Sequence, residues 1–108
     1  MRIVQTLNLK SDDDLIAEYI NVHRLIWPEV KAGIREVGIT NMEIFINGIT
    51  LFMIIDTVDP FDREAAFAKL ATLPRQAEWE EFVARFQDCP TGSSSGEKWK
   101  EAERVFKL

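Results

Sequence analysis

The feature that most constrains this chain is a pair of apolar runs, NMEIFI at residues 41–46 and TLFMIID at residues 50–56, set on either side of Asn47-Gly48. Asn-Gly is the dipeptide that most favours a tight type I′ turn, whose two central residues both need positive φ. The segment therefore predicts an antiparallel hairpin. Its strands are largely apolar rather than strictly alternating, so both are expected to be central or covered.

The remaining elements arrange themselves around that hairpin. Residues 2–9 (RIVQTLNL) are β-prone and end at the polar cluster Ser11-Asp12-Asp13-Asp14. Ser11 is the expected cap of a helix, with Asp14 completing a weak capping box. Leu15, Ile16, Tyr19, Ile20 and His23 recur at helical spacing and carry that helix to about Leu25. Pro28 suits the first turn of a second helix, with Val30, Ile34 and Val37 on one face and a stop at Gly38. The two read as one long helical segment kinked at Trp27-Pro28. Asp59-Pro60 is the expected cap and first residue of another helix, carrying Phe67, Leu70 and Ala71. After a break at Leu73-Pro74, a further helix runs from Arg75 to about Phe86 with Trp79, Phe82 and Val83. Residues 89–96 (CPTGSSSG) read as a loop, and residues 103–108 (ERVFKL) as a last strand. The order β-α-β-β-α-β over a single domain, residues 1–108, predicts an α+β, ferredoxin-like antiparallel sheet with helices on one face. The other face must be covered. Two copies packing sheet to sheet would form a dimeric α+β barrel, with a pocket beside each sheet.

Charge narrows the function. The net charge is −5, and the 13 Lys and Arg residues are scattered among 18 acids. A nucleic-acid binder needs a basic face, so nucleic acid is excluded as a partner. No apolar run approaches the ~20 residues that span a bilayer, and the first residues lack a signal-peptide pattern, so no membrane partner is expected. Cys89 is the only cysteine. It has no partner for an internal disulfide or a thiolate zinc site, which fits an unpaired loop thiol in a reducing cytoplasm. With one histidine and no second cysteine, no metal site is expected, and no phosphate- or dinucleotide-binding glycine motif is present.

His23 is the only side chain whose unperturbed pKa lies near neutrality, and so the natural candidate for general acid–base work. Tyr19, four residues earlier, shares its helix face. A phenol beside an imidazole suits a hydroxylated ligand, and the same spacing also suits a half-buried polar edge. Trp27 before a helix start reads as a packing anchor, and Glu29 is accounted for by the helix dipole. Trp79, in the acidic stretch QAEWEE, is either a sugar-covering ring or a core residue. Met42 and Phe45 read as core on pattern alone.

Tyr19-x-x-x-His23-x-x-x-Trp27-Pro28-Glu29, the Asn41-x-x-Ile44-Phe45 strand, the hairpin and the later helix with Trp79 together resemble the L-rhamnose mutarotase family over nearly the whole chain. The resemblance implies a dimeric ferredoxin-like fold, no cofactor, and interconversion of the anomers of a 6-deoxy-L-hexose. It places the family's proton-donating histidine at His23, a sugar-contacting tyrosine at Tyr19 and the first of two binding tryptophans at Trp79. The family's second tyrosine falls on Met42 and its second tryptophan on Glu80. Changed pocket residues around an intact catalytic helix point to the same reaction on another epimer, with L-fucose beside L-rhamnose as the candidate. The implied mechanism has His23, as imidazolium, protonating the ring oxygen while a base takes the anomeric proton, with Glu80, Tyr19 and a bound water as the alternatives for that base. Two other readings remain at this level: a monooxygenase-like or haem-degrading enzyme of the dimeric α+β barrel class, and a non-catalytic sugar-binding module.

Overall fold

The computed structural model describes residues 1–108 and places four strands and five helices in the order β1 (Arg2–Asn8), α1 (Asp13–Val22), α2 (Pro28–Glu36), β2 (Ile39–Asn47), β3 (Thr50–Thr57), α3 (Arg63–Leu70), α4 (Gln76–Ala84), α5 (Ser95–Lys98) and β4 (Lys100–Ala102). The strands form one antiparallel sheet in the order β2-β3-β1-β4. This is the expected ferredoxin-like arrangement. The first expected crossover segment is split into α1 and α2, the second consists of two helices as expected, and α5 is added before the last strand.

Strand alternation sorts the sheet into two faces. Leu51, Met53 and Ile55 of β3 are buried in turn, and Leu7 lies opposite Leu51 in β1. Met42 and Ile44 of β2 stand opposite Ile55 and Met53, so they share this face. The helices pack here, contributing Tyr19, Val30, Phe67, Leu70, Trp79, Val83 and Phe86 to a single core. On the other face lie Val4, Phe45, Phe52 and Ile54, and no helix covers them. β3 is therefore central as expected, whereas β2 is an edge strand whose Phe45 is 51% exposed within one chain.

Several local expectations are corrected. The hairpin closes with Asn47 paired to Thr50, so its two-residue loop is Gly48-Ile49, and only Gly48 has positive φ, at 64°. That is the φ pattern of a II′ turn rather than I′, because a β-branched residue at the second position resists positive φ. Asp12, not Ser11, caps α1, accepting the Leu15 N–H at 3.0 Å. Asp62, not Asp59, caps α3, accepting from Ala65 at 3.1 Å. In both places the aspartate that meets the helix's own N–H groups is the one that caps.

The expected kinked helix is two helices. α1 stops at the His23 cap, and Trp27 is extended (ψ 135°) because Pro28 disfavours helical geometry in the residue before it. The last strand is Lys100–Ala102, not residues 103–108. Val4 pairs with Ala102, so continuing that register places Glu103 and Arg104 against Ile3 and Arg2 and then runs off β1. Val105, Phe106 and Leu108 are exposed.

Arg63 ties the layers together beneath the site. Its Nε donates to the Gln5 Oε1 at 2.6 Å and its Nη2 to the Trp99 carbonyl at 2.8 Å. The buried Gln5 in turn donates to the Met53 sulfur at 3.3 Å. These bonds satisfy polar groups that would be costly to bury alone, and they hold α5 and β4 against β1.

Candidate active site

A narrow cleft with a cavity of about 50 Å³ lies between the helix-side face of the sheet and the helices. Met42 and Ile44 lie on its sheet side, and Tyr19, His23 and Trp79 on its helix side. The C-terminal end of α1 supplies Tyr19 and His23, because i, i+4 side chains share a helix face. Their rings lie 4.1 Å apart between centroids, tilted by 35°. The edge of α4 completes the wall, with Trp79 meeting His23 edge to face at 5.3 Å. Trp27 stays behind this wall. It packs against Trp79 and Phe82 at 5.2 and 5.9 Å, under the Arg75 guanidinium at 4.1 Å, which makes it the packing anchor expected. Glu29 is exposed and ion-paired with Arg75 at 3.3 Å, away from the cleft.

His23 is oriented by its own helix. Its Nδ1 lies 2.8 Å from the Tyr19 carbonyl oxygen. A carbonyl only accepts, so Nδ1 carries the proton and Nε2, on the opposite edge of the ring, is the free nitrogen. Burial lowers the His23 pKa below its ordinary 6.5, and the bond to the Tyr19 carbonyl opposes this more weakly. The resting ring at neutral pH is therefore neutral, with a lone pair on Nε2. The imidazolium expected from the sequence is thus the minority form at neutral pH. Tyr19 is buried too. Burial pushes its phenol well above the usual tyrosine range, against a weaker hydrogen bond from the Gln87 side chain, so it remains a neutral hydroxyl.

Of the five residues singled out from the sequence, the structure brings four together: Tyr19, His23, Met42 and Trp79 line one cleft. Glu80 stands apart. It follows Trp79 on α4 and so points elsewhere, and its carboxylate accepts the Ser95 backbone N–H at 2.6 Å. Glu80 holds the start of α5, not the cleft wall.

The structure adds three residues that sequence reasoning missed. Gln76, Gln87 and Lys98 are 3%, 2% and 5% exposed, and all three line the same cleft. The Oε1 atoms of both glutamines and the Nζ of Lys98 have no hydrogen-bond partner within the chain. Burial lowers the Lys98 pKa from its ordinary value, partly offset by the carboxylate of Glu80 and then by Cys89. A signal for two of them was present: Gln76, Trp79, Val83 and Gln87 fall at spacings of three, four and four, so the glutamines occupy core positions of an apolar stripe. Lys98 had none, since it follows a low-complexity loop.

A neutral imidazole with a free nitrogen, a buried phenol and an indole ring together suit proton transfer to and from a hydroxylated ring compound. The comparisons with known proteins agree with that chemistry. The family model for L-rhamnose mutarotase matches residues 2–108. The L-fucose mutarotase of Xanthomonas campestris pv. campestris is 41% identical over 109 residues, covering 99% of this chain and 87% of that protein. The L-rhamnose mutarotase of Lactiplantibacillus plantarum is 26% identical over 110 residues, covering 100% and 98%. In the solved structures, the L-rhamnose mutarotase of Formosa agariphila shares the fold with a TM-score of 0.74 at 22% identity, over 100% of this chain and 98% of its own. With its sequence matched from the first strand to the last residue and its fold shared from end to end, the chain belongs to the L-rhamnose mutarotase family.

Proposed function

We propose that this protein is an aldose mutarotase that interconverts the α and β anomers of a 6-deoxy-L-hexose, with L-fucose preferred over L-rhamnose. The observation that carries the proposal is the His23 ring, locked by the Tyr19 carbonyl with its second nitrogen free in a cleft beside Trp79. Preference for L-fucose is supported by the 41% identity to an L-fucose mutarotase, against 26% to an L-rhamnose mutarotase. Family membership and the cleft do not favour a monooxygenase-like enzyme or a purely binding module.

In this reading Nε2 of His23 takes the proton from the anomeric hydroxyl. The electron pair left on that oxygen forms the C1 carbonyl as the C1–ring-oxygen bond breaks. The ring oxygen receives a proton, which the imidazolium so formed returns to it. The Tyr19 carbonyl, held on Nδ1–H, steadies the imidazolium during the transfer. Rotation about C1–C2 and closure on the other carbonyl face, by the same steps reversed, give the second anomer. Trp79 and Met42 cover the apolar side of the sugar, and Tyr19 binds a hydroxyl. Acid–base help of this kind contributes about 10²–10⁴-fold.

Two further assignments belong to the proposal. A second copy of the chain covers the sheet face carrying Val4, Phe45, Phe52 and Ile54, making a homodimer. No helix of the protein is long and apolar enough to cross a membrane. The free Cys89 suits a reducing, cytoplasmic setting.

NMR saturation transfer between anomeric protons tests the activity, run with L-fucose, L-rhamnose and D-galactose at catalytic enzyme concentration. Faster exchange for L-fucose than for L-rhamnose is the expected result. Equal, uncatalysed exchange for all three sugars would refute the proposal.

A further inference from the structure

The three polar side-chain atoms buried without a partner, Gln76 Oε1, Gln87 Oε1 and Lys98 Nζ, all belong to residues lining one cleft. Scattered orphans would be three separate penalties; orphans gathered in one cavity are groups awaiting a common ligand. The set comprises two acceptors and one donor of three hydrogens. Carbonyl oxygens accept from hydroxyl hydrogens and repel anionic oxygens, so the set fits a neutral polyol better than a carboxylate or phosphate. Glu80 points the same way, because its carboxylate already acts on the Lys98 ammonium from the α4 side.

The backbone elements that carry this set are separate from α1, which carries the catalytic pair, and only the Gln87 side chain reaches Tyr19. Lys98 closes α5, which is held by the capping box between Ser94 and Glu97 (Ser94 N–H to Glu97 Oε1, 3.0 Å) and by Glu80 on Ser95. Gln76 opens α4, and Gln87 lies beyond its end in a backbone bridge to Leu9. The donor and acceptors therefore sit on elements fixed independently of His23.

We propose that Lys98, Gln76 and Gln87 form the hydroxyl-recognition set of this cleft, and that the Lys98 ammonium selects which 6-deoxy-L-hexose epimer is bound. The inference rests on the mutarotase reading above. L-Fucose and L-rhamnose differ in hydroxyl orientation at C2 and C4, so a single fixed cationic donor separates them by reaching a hydroxyl that only one epimer places within bonding distance.

The test compares the parent protein with Lys98→Met and Gln76→Met by anomeric saturation transfer and thermal melting, with and without sugar. Lys98→Met is expected to raise KM for L-fucose roughly ten- to a hundredfold, the effect of losing a hydrogen bond from a charged donor. Its kcat should stay within a few-fold, and its preference between L-fucose and L-rhamnose should shrink. Its sugar-free melting temperature should stay close to the parent's, because the buried ammonium makes no hydrogen bond within the chain and its desolvation cost offsets the lost attraction of Glu80. Gln76→Met should weaken binding while leaving sugar-free melting unchanged. Unaltered KM and epimer preference in Lys98→Met would overturn the inference, as would a fall in melting temperature matching the loss of activity, the mark of a structural lysine. Tighter binding of L-fuconate than of L-fucose would overturn it too, assigning the ammonium to an anion. A parent that fails to accelerate exchange refutes the mutarotase reading instead. The recognition set is then judged by melting: an L-fucose-induced rise in the parent and none in Lys98→Met supports it, and no rise in the parent overturns it.

Discussion

At the scale of single residues, the proposed mechanism rests on His23, whose ring is oriented by its bond to the Tyr19 carbonyl. His23→Ala should reduce anomer exchange by about 10²–10⁴-fold while leaving the circular dichroism spectrum intact; a fully active variant would remove His23 from the mechanism. The protonation state makes a second, independent prediction. Because burial lowers the folded-state pKa, the unfolded chain takes up the proton first as pH falls. The His23 contribution to stability is thus intact above its ordinary 6.5 and declines as pH falls through the folded-state value. Activity should follow the same limb, holding steady around neutrality and dropping on the acid side. An activity that instead rises as the solution is acidified would mean that the resting imidazolium is the working form. The other cleft groups that titrate, Tyr19 and Lys98, are shifted in directions that keep Tyr19 neutral and bring Lys98 closer to neutrality from the alkaline side.

At the scale of elements, the helix ends set the cleft walls. α2 must turn abruptly into β2 for Met42 and Ile44 to face the helices, and Gly38 makes that turn with φ 101°. A Cβ there would meet Val58 Cγ2 at 2.9 Å. Gly38→Ala therefore combines a disfavoured backbone with a clash, and should cost about 1–2 kcal/mol or more, measured by urea denaturation. An unchanged midpoint would show that the turn relaxes freely. The elements themselves were largely legible. Asn47-Gly48 marked the hairpin, Pro28 the start of α2 and Gly38 its end, because these residues act through their own backbone preferences. The caps at Asp12 and Asp62 were missed in favour of Ser11 and Asp59 because neighbouring residues have the same capping chemistry. Only the helix register decides between them.

At the scale of the whole molecule, the open sheet face is the feature one chain leaves unsolved. Phe45 and Phe52 pair across β2 and β3 with Ile54 and Val4 beside them, on the side away from the helices. If a second copy covers this face, Phe45→Glu should convert a dimer into a monomer in light-scattering measurements, since a charge there would be buried without a partner. A parent protein that is already monomeric at micromolar concentration would remove the dimer from the proposal. The apolar character of both hairpin strands fits this arrangement, although β2 turned out to be an edge strand of its own sheet.

Local and periodic signals determined the order of strands and helices, the hairpin, the helix that carries Tyr19 and His23, and the candidacy of His23 itself. These follow from the spacing of side chains along one element, and a sequence displays that directly. The tertiary structure decided what depends on contacts between elements: the neutral state of His23, which comes from burial among packed helices, and the diversion of Glu80 to Ser95. It also decided the meeting of Gln76, Gln87 and Lys98 in one cleft. Lys98 lies 75 positions from His23 along the chain, and only the folding of α5 against α3, with Ser95 held by Glu80 of α4, brings both to the same cavity. No periodicity connects residues on different elements, so their joint role is readable only in three dimensions.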